Sequence, residues 1–319
     1  MKTNFKSILK NIASLCIVVG IFFFFYKEFG ANWLKIQSYR FEFILPYIVF
    51  SLFAVALNYL LATYGWFLTI NSLSTHKKIT FIDSIAVVNT SNLGKYLPGK
   101  VWSIAFQMYL FGTVGLSKSL VLYVNMINIL ISTTMSILVG FVCIAFFSKI
   151  MPFVLSFSIL SLFILSGSCA IIFSSRIFKY LTVLANRIFK KDIKYFNISK
   201  ELILLLCLIY LFSAASLGVG AYFLYLGIGF NFELSGAFSI AAAAIISDVA
   251  GFLAFIVPAG LGVREGVMYL LLNGVSIKAV SLILPIATRI MGMFADALLG
   301  TISFILLIRG KKVKGGHEI

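Results

Sequence analysis

Five stretches of this chain, 43 to 70, 119 to 147, 150 to 173, 202 to 227 and 279 to 308, stay apolar over the length that a helix needs to cross a bilayer, about 20 residues. A sixth, shorter run covers 12 to 26. Runs of this number and length leave few arrangements open, because hydrocarbon offers backbone groups no partners and only helices or closed barrels satisfy them there. Composition excludes a soluble setting for the runs: 61% of residues are hydrophobic, 11% are charged and mean hydropathy is +1.07, whereas a soluble domain is about 25% charged. Too little polar surface remains to solvate a globule, so cytosolic enzymes, secreted disulfide scaffolds and disordered chains drop out. The expected fold class is an all-α integral membrane protein, a polytopic helical bundle forming one transmembrane domain over 1–319.

Two further stretches, 81 to 113 and 237 to 274, are apolar but interrupted midway, by Pro98-Gly99 and by Pro258-Ala259-Gly260-Leu261-Gly262. Proline and glycine free backbone groups that lipid cannot satisfy, so such breaks survive only when buried in protein or facing a watery cavity. Each stretch therefore reads as a re-entrant hairpin of two half-helices; eight full crossings are the other topology that such short arms allow. The run at 12 to 26 follows Lys2, Lys6 and Lys10 as a signal peptide would. It ends in Phe22 to Phe25 and Tyr26 with no small-residue cleavage site, so an uncleaved anchor is expected.

With six spans and two hairpins returning to their own side, 17 of the 22 Lys and Arg assigned to loops fall on one side. The positive-inside rule makes that side the cytoplasm and places both termini there, in the cell (inner) membrane. The connector 174–200 interleaves Arg176, Lys179, Arg187, Lys190, Lys191 and Lys194 with apolar residues at helical spacing. It reads as a basic segment along the inner leaflet, or else as a solvated link between two halves. The net charge of +16 then reports orientation and attraction to anionic lipid, not nucleic acid. Cys16, Cys143, Cys169 and Cys207 lie within apolar runs, and His76 and His317 stand beside lysines. Neither set suggests a disulfide, a metal site or a catalytic triad, and no cofactor is expected.

Sliding the sequence against itself by 160 positions aligns Ile85, Leu93, Pro98, Met108-Tyr109-Leu110, Lys118 and Leu122 with identical residues. Eight identities fall within 38 positions, where chance gives about three at these residue frequencies. The same shift lays span 43–70 over 202–227 and span 119–147 over 279–308, so each half reads span, hairpin, span. The single extra crossing at 150–173 would invert one half relative to the other. Broken helices at matching places in an inverted repeat point to a transport site; the competing reading is a pair of structural kinks.

Most residual charge clusters at the two breaks. Hairpin one carries Asn92, Lys95, Tyr96, Pro98, Gly99, Lys100 and Trp102, and hairpin two carries Asp248, Pro258, Gly260, Gly262, Arg264 and Glu265. On the last span Arg289 and Asp296, seven residues apart, share one helical face but stand too far apart to pair with each other. Each is expected to answer Lys95, Lys100, Asp248 or Glu265. Ionisable groups at membrane depth cost about 2.5 to 3.5 kcal/mol each on insertion scales, so partners or a hydrated cavity are required. Gly94 to Lys100 matches the first seven positions of a phosphate-binding P-loop but continues with Val101 where Ser or Thr would hold magnesium, and Pro98 removes a cradling N–H. What remains is freed backbone N–H groups at helix starts beside Lys and Arg, a receptor for a phosphate group.

The segments Gly94-Lys95-Tyr96-Leu97-Pro98-Gly99-Lys100-Val101-Trp102 and Pro258-Ala259-Gly260-Leu261-Gly262-Val263-Arg264-Glu265-Gly266 resemble the transmembrane domain of lysylphosphatidylglycerol synthases, the flippase-like domain family. The resemblance covers nearly the whole chain and implies a stand-alone member, since only ten residues follow Arg309 and no soluble transferase domain is among them. In the fused synthases this domain is held to translocate the aminoacylated lipid. The resemblance thus implies a flippase for an anionic or aminoacylated phospholipid or a polyprenyl-phosphate-linked glycolipid. Its partners would be membrane lipids with anionic head groups and envelope-biosynthesis proteins. On this reading Lys95, Lys100 and Arg264 neutralise phosphate, while Glu265 and Asp248 orient those cations or bind an amino group. Two other functional classes stand against it: a membrane-embedded transferase or accessory subunit using Asp248, Glu265 or Asp296 as general base, and a scaffold for partner assembly.

Overall fold

The computed structural model describes residues 41–75, 77–97, 102–147, 196–231, 233–254, 257–273 and 276–315, with isolated positions before 41 and between 179 and 187. The expected spans 12–26 and 150–173 and most of the connector 174–200 lie outside the described residues. Within them the chain is helical throughout. The helices are α1 (Leu45–Leu73), α2 (Phe81–Asn92), α3 (Trp102–Thr113), α4 (Lys118–Phe147), α5 (Lys200–Gly227), α6 (Leu234–Leu253), α7 (Val263–Leu272) and α8 (Lys278–Gly315). Two 3-10 turns complete the order, Leu93–Tyr96 after α2 and Pro258–Gly260 after α6.

Local chemistry sets the boundaries. Pro46 sits in the first turn of α1, where its missing N–H is no loss. At the other end Lys78 donates to the carbonyls of Asn71 and Ser74, favourable at a helix C-terminus. Thr80 starts α2 through a reciprocal box: its Oγ1 accepts from the Asp83 N–H at 3.1 Å, and the Asp83 carboxylate accepts from the Thr80 N–H at 3.2 Å. Ser199 caps α5 by accepting from the Leu202 N–H at 3.2 Å.

Among the described residues five helices are long and apolar enough to cross a membrane: Leu45–Leu73, Lys118–Ile144, Lys200–Gly227, Gly236–Leu253 and Lys278–Arg309. Four of them match expected spans. The fifth is the first arm of the second interrupted stretch, and it differs from the half-helix expected there. Its 20 residues reach about 30 Å at 1.5 Å per residue, because nothing after Gly236 interrupts a run that includes four consecutive alanines, Ala241 to Ala244. The second arm, α7, has 10 residues. Both arms of the first stretch are short, with 12 residues each, about 18 Å.

Among the described residues, α1 to α4 and α5 to α8 each run from a long helix through a broken segment to a second long helix. Contacts cross between the sets: α1 packs along α5, α2 packs on α8, and α4 packs on α6. One apolar cluster gathers Trp66, Phe111, Ile127 and Leu206 from α1, α3, α4 and α5, with Trp66 and Phe111 stacked at 4.6 Å. A second gathers Leu224, Ala244, Met268 and Leu284 from α5 to α8. Small residues on α5 let its neighbours in: a Cβ at Gly218 would meet Ala241 at 2.8 Å, and one at Gly227 would meet Ile48 at 2.8 Å.

Candidate functional site

The two helix breaks touch, although about 160 residues separate them: the turn 93–96 lies against the turn 258–260, and α8 runs beside the first of them. Backbone geometry explains the second break. Ala259 has φ +48, Gly260 φ +67 and Gly262 φ +82, positive values that the two glycines adopt without penalty and that Ala259 adopts at a cost. Gly260 approaches α6 so closely that a Cβ on it would lie 2.5 Å from the Gly251 carbonyl oxygen. Where the chain turns back as α7, the Gly262 N–H donates to Glu265 Oε2 at 2.5 Å, which satisfies a freed helix-start donor with a carboxylate.

Three ion pairs form around this junction. Lys95 Nζ is 2.7 Å from Asp296 Oδ2, and the Tyr96 hydroxyl donates to the same carboxylate at 2.6 Å. Arg264 Nη1 is 2.7 Å from Asp248 Oδ1. Arg289 Nε is 3.5 Å from Glu265 Oε1, while its Nη1 donates to the Ala259 carbonyl at 2.9 Å. Lys95 and Asp296, 201 residues apart, thus tie the first break to α8 at side-chain level. Arg289 and Asp296, on one face of α8, each answer a different break: Arg289 ties to the Pro258–Gly262 turn and Asp296 to the Leu93–Tyr96 turn. Seven residues separate them, about 10 Å along the axis, which spaces them for two partners and not for each other.

Asp296 and Glu265 are buried, whereas the Asp248 side chain is 46% exposed. All three pairs adjoin one cavity of about 270 Å³, lined by Asn92, Lys95, Tyr96, Asp248, Arg264, Arg289 and Asp296 among others. Seven of the fifteen residues singled out from sequence therefore share one wall. Glu265 stands behind Arg289, and Pro258, Gly260 and Gly262 build the turn. Trp102 begins α3, half-exposed and 6.2 Å from the Phe106 ring, and is not part of the lining. Pro98, Gly99 and Lys100 lie outside the described residues.

Sequence reasoning missed Tyr59. It reaches the cavity from α1, and Lys95 Nζ sits 5.2 Å from its ring centre, within cation–π range. A tyrosine inside an apolar span carries no charge signal, and only the fold brings it beside the breaks. Chemically the cavity offers guanidinium and ammonium donors whose carboxylate partners leave further N–H groups unused, which suits an anionic oxygen cluster.

The family model described as the lysylphosphatidylglycerol synthase TM region matches residues 11–308, nearly the whole chain. No curated protein matches significantly.

Proposed function

Since the chain belongs to the lysylphosphatidylglycerol synthase TM region family, we propose that it is a translocase that moves an anionic lipid across the inner membrane without altering it chemically. The observation that carries this reading is the meeting of three ion pairs from two broken-helix segments in one cavity. That cavity lies beside α8, whose residues 278–309 are long enough to cross a bilayer. Arg289 and Asp296 occur 11 and 18 residues after Lys278, about 17 and 27 Å along the axis, the middle of such a span. Charge at that depth is costly, and in membrane proteins it marks pathways for polar cargo.

Arg264 and Lys95 receive the lipid phosphate, Asp248 and Asp296 hold those cations in place when the site is empty, and the acyl or prenyl tails remain in the bilayer. The two interrupted stretches act as re-entrant hairpins of an inverted repeat, the second with a first arm, α6, that is itself long enough to reach across, and both termini lie in the cytoplasm. Support for the repeat comes from the matching helix order and from the exchanged contacts, α2 with α8 and α4 with α6. The cargo is an anionic or aminoacylated phospholipid or a polyprenyl-phosphate-linked glycolipid, and envelope-biosynthesis proteins that make or use it are the expected partners. Against a transferase, each carboxylate considered as a general base, Asp248, Glu265 and Asp296, is engaged by a cation.

The test is reconstitution into vesicles with a head-group-labelled anionic lipid, comparing wild type with Arg264→Ala and Arg264→Lys. A guanidinium grips phosphate with two parallel hydrogen bonds, so Arg264→Ala is expected to lower movement at least tenfold, and Arg264→Lys to restore part of it. Loss of Arg264 leaves Asp248 without its cation, but that half-exposed carboxylate can hydrate, so the variant should remain folded. Wild-type movement by a well-folded Arg264→Ala protein would remove Arg264 from the path.

A further inference from the structure

A second cavity, also of about 270 Å³, adjoins the first and shares Tyr59, Asn92, Asp248 and Phe252 with it. Its chemistry is different. Five carboxamides line it, Asn58, Asn92, Gln107, Asn125 and Asn128, and its sole charged residue is Asp248, which Arg264 already holds. Hydroxyls of Ser132, Thr133 and Ser136 face it from α4. The 160-residue shift relates six lining positions of one cavity to six of the other. Val88, Asn92, Ile129, Ser132, Thr133 and Ser136 line the second, and their counterparts Asp248, Phe252, Arg289, Gly292, Met293 and Asp296 line the first. Equivalent places in the two halves thus carry charge on one side and neutral hydrogen-bonding groups on the other.

Several of these groups have unspent capacity. Asn125 Nδ2 donates to Gln107 Oε1 at 2.8 Å and to the Val121 carbonyl at 2.9 Å. That leaves Asn125 Oδ1 and Gln107 Nε2 without a hydrogen bond among the described residues. Trp66, 3% exposed, lines the cavity, and its indole N–H is buried with no acceptor among the described residues. Thr133 and Ser136 make no side-chain hydrogen bond among the described residues. Apart from Asp248, whose charge Arg264 balances, the wall offers neutral donor and acceptor groups, matched by a ligand rich in hydroxyls, each of which both donates and accepts. It is poorly matched by an ammonium group, which is charged and only donates.

We propose that this second cavity binds an uncharged polyhydroxyl moiety attached to the lipid phosphate, so that the cargo is a phosphate-linked polyol or sugar lipid and not one bearing a cationic aminoacyl group. The proposal rests on the translocase reading, in which the neighbouring cavity takes the phosphate. Together the two cavities reach the size of ordinary ligand sites, about 300 to 1,000 Å³, which a phosphate alone would not fill.

Binding is measured by native mass spectrometry of the detergent-solubilised full chain with four lipids. Phosphatidic acid offers phosphate alone, phosphatidylinositol and a polyprenyl phosphate-linked hexose offer phosphate plus polyol, and lysylphosphatidylglycerol offers the cationic alternative. One of the two polyol lipids is expected to bind at least tenfold tighter than phosphatidic acid, a factor that one or two net hydrogen bonds supply. Which one prevails tells a phosphatidyl polyol from a prenyl-linked sugar. Thr133→Val combined with Ser136→Ala removes hydroxyls that hold nothing else in place. It should abolish that preference while phosphatidic acid binding stays unchanged; Gln107→Leu with Asn125→Leu should do the same. Equal binding of phosphatidic acid and both polyol lipids, or tightest binding of the lysyl lipid, overturns the proposal. If phosphatidic acid still binds in an Arg264-dependent manner in that case, the translocase reading survives. If no phosphate lipid binds, both fall.

Discussion

Replacing Lys95 and Asp296 by Met and Leu, singly and together, separates what their ion pair does for the fold from what it does for the cargo. Asp296 is 8% exposed and accepts from both Lys95 and Tyr96. Breaking a buried pair from one side costs about 3 to 5 kcal/mol, most of it the charge left behind. Asp296→Leu leaves an ammonium whose side chain is 33% exposed to the cavity and can hydrate, so its cost belongs near the lower end, about 3 kcal/mol. Lys95→Met leaves a carboxylate at 7% exposure with the Tyr96 hydroxyl as its remaining support, and a similar or larger cost follows. In the double variant no charge is stranded, and only the Tyr96 hydroxyl loses an acceptor, about 1 kcal/mol. Thermal unfolding in detergent should therefore rank the double variant above either single one. Vesicle transport should be lost in the two variants that lack Lys95 and reduced in Asp296→Leu, whose ammonium remains but is no longer held in place. A double variant less stable than both single ones would refute the pairing energetics. One that is stable and transports at the wild-type rate would show that the pair serves the fold alone.

Gly260→Ala places a Cβ 2.5 Å from a backbone oxygen at φ +67; the left-handed conformation alone costs about 1 to 2 kcal/mol, and backbone cannot yield as a side chain would. The yield of folded protein after solubilisation should fall sharply, and normal yield and melting temperature would contradict the close approach. A cysteine introduced at Lys190 in an otherwise cysteine-free chain should resist an impermeant thiol reagent added to intact cells and react after permeabilisation. Efficient labelling from outside would overturn the proposed orientation.

Much of the architecture is legible in the sequence because a bilayer imposes a length rule that soluble folds lack. Apolar runs long enough to cross appear as α1, α4, α5 and α8, and the Pro98 and Pro258 neighbourhoods mark the helix breaks. Length misled at α6. The motif Pro258 to Gly262 fixes where a helix ends but not how far upstream it began, and an alanine-rich segment continues as helix until something stops it. Charged residues were found because charge at depth is conspicuous, so Lys95, Asp248, Arg264, Arg289 and Asp296 could be picked out one by one. Their pairing could be narrowed to a few partners, which include the Lys95–Asp296 and Arg289–Glu265 pairs that form, but the choice among them follows only after segments about 200 residues apart are packed. Neutral groups left a fainter trace. Asn58, Gln107, Asn125 and Asn128 are individually tolerable in a span, and their convergence in one cavity is a property of the fold.

The likeness between halves and the difference in their chemistry have separate consequences. Backbone features repeat: each half supplies a long helix, a broken segment and a second long helix, and the breaks meet where the halves join. Charge does not repeat. Of the six residues in the three ion pairs only Lys95 comes from the first half, and the positions 160 residues before Asp248, Arg264, Glu265, Arg289 and Asp296 are Val88, Ile104, Ala105, Ile129 and Ser136. Six unpaired ionisable groups at depth would cost roughly 15 to 21 kcal/mol on insertion scales, more than the whole stability of an ordinary domain. Two of the pairs close within the second half and can form as it folds. The third, Lys95 with Asp296, forms only when the halves meet. Packing of the two sets of helices therefore brings the breaks together, and one ion pair between the sets, reinforced by the Tyr96 hydroxyl, makes completion of the charged cavity depend on their correct assembly.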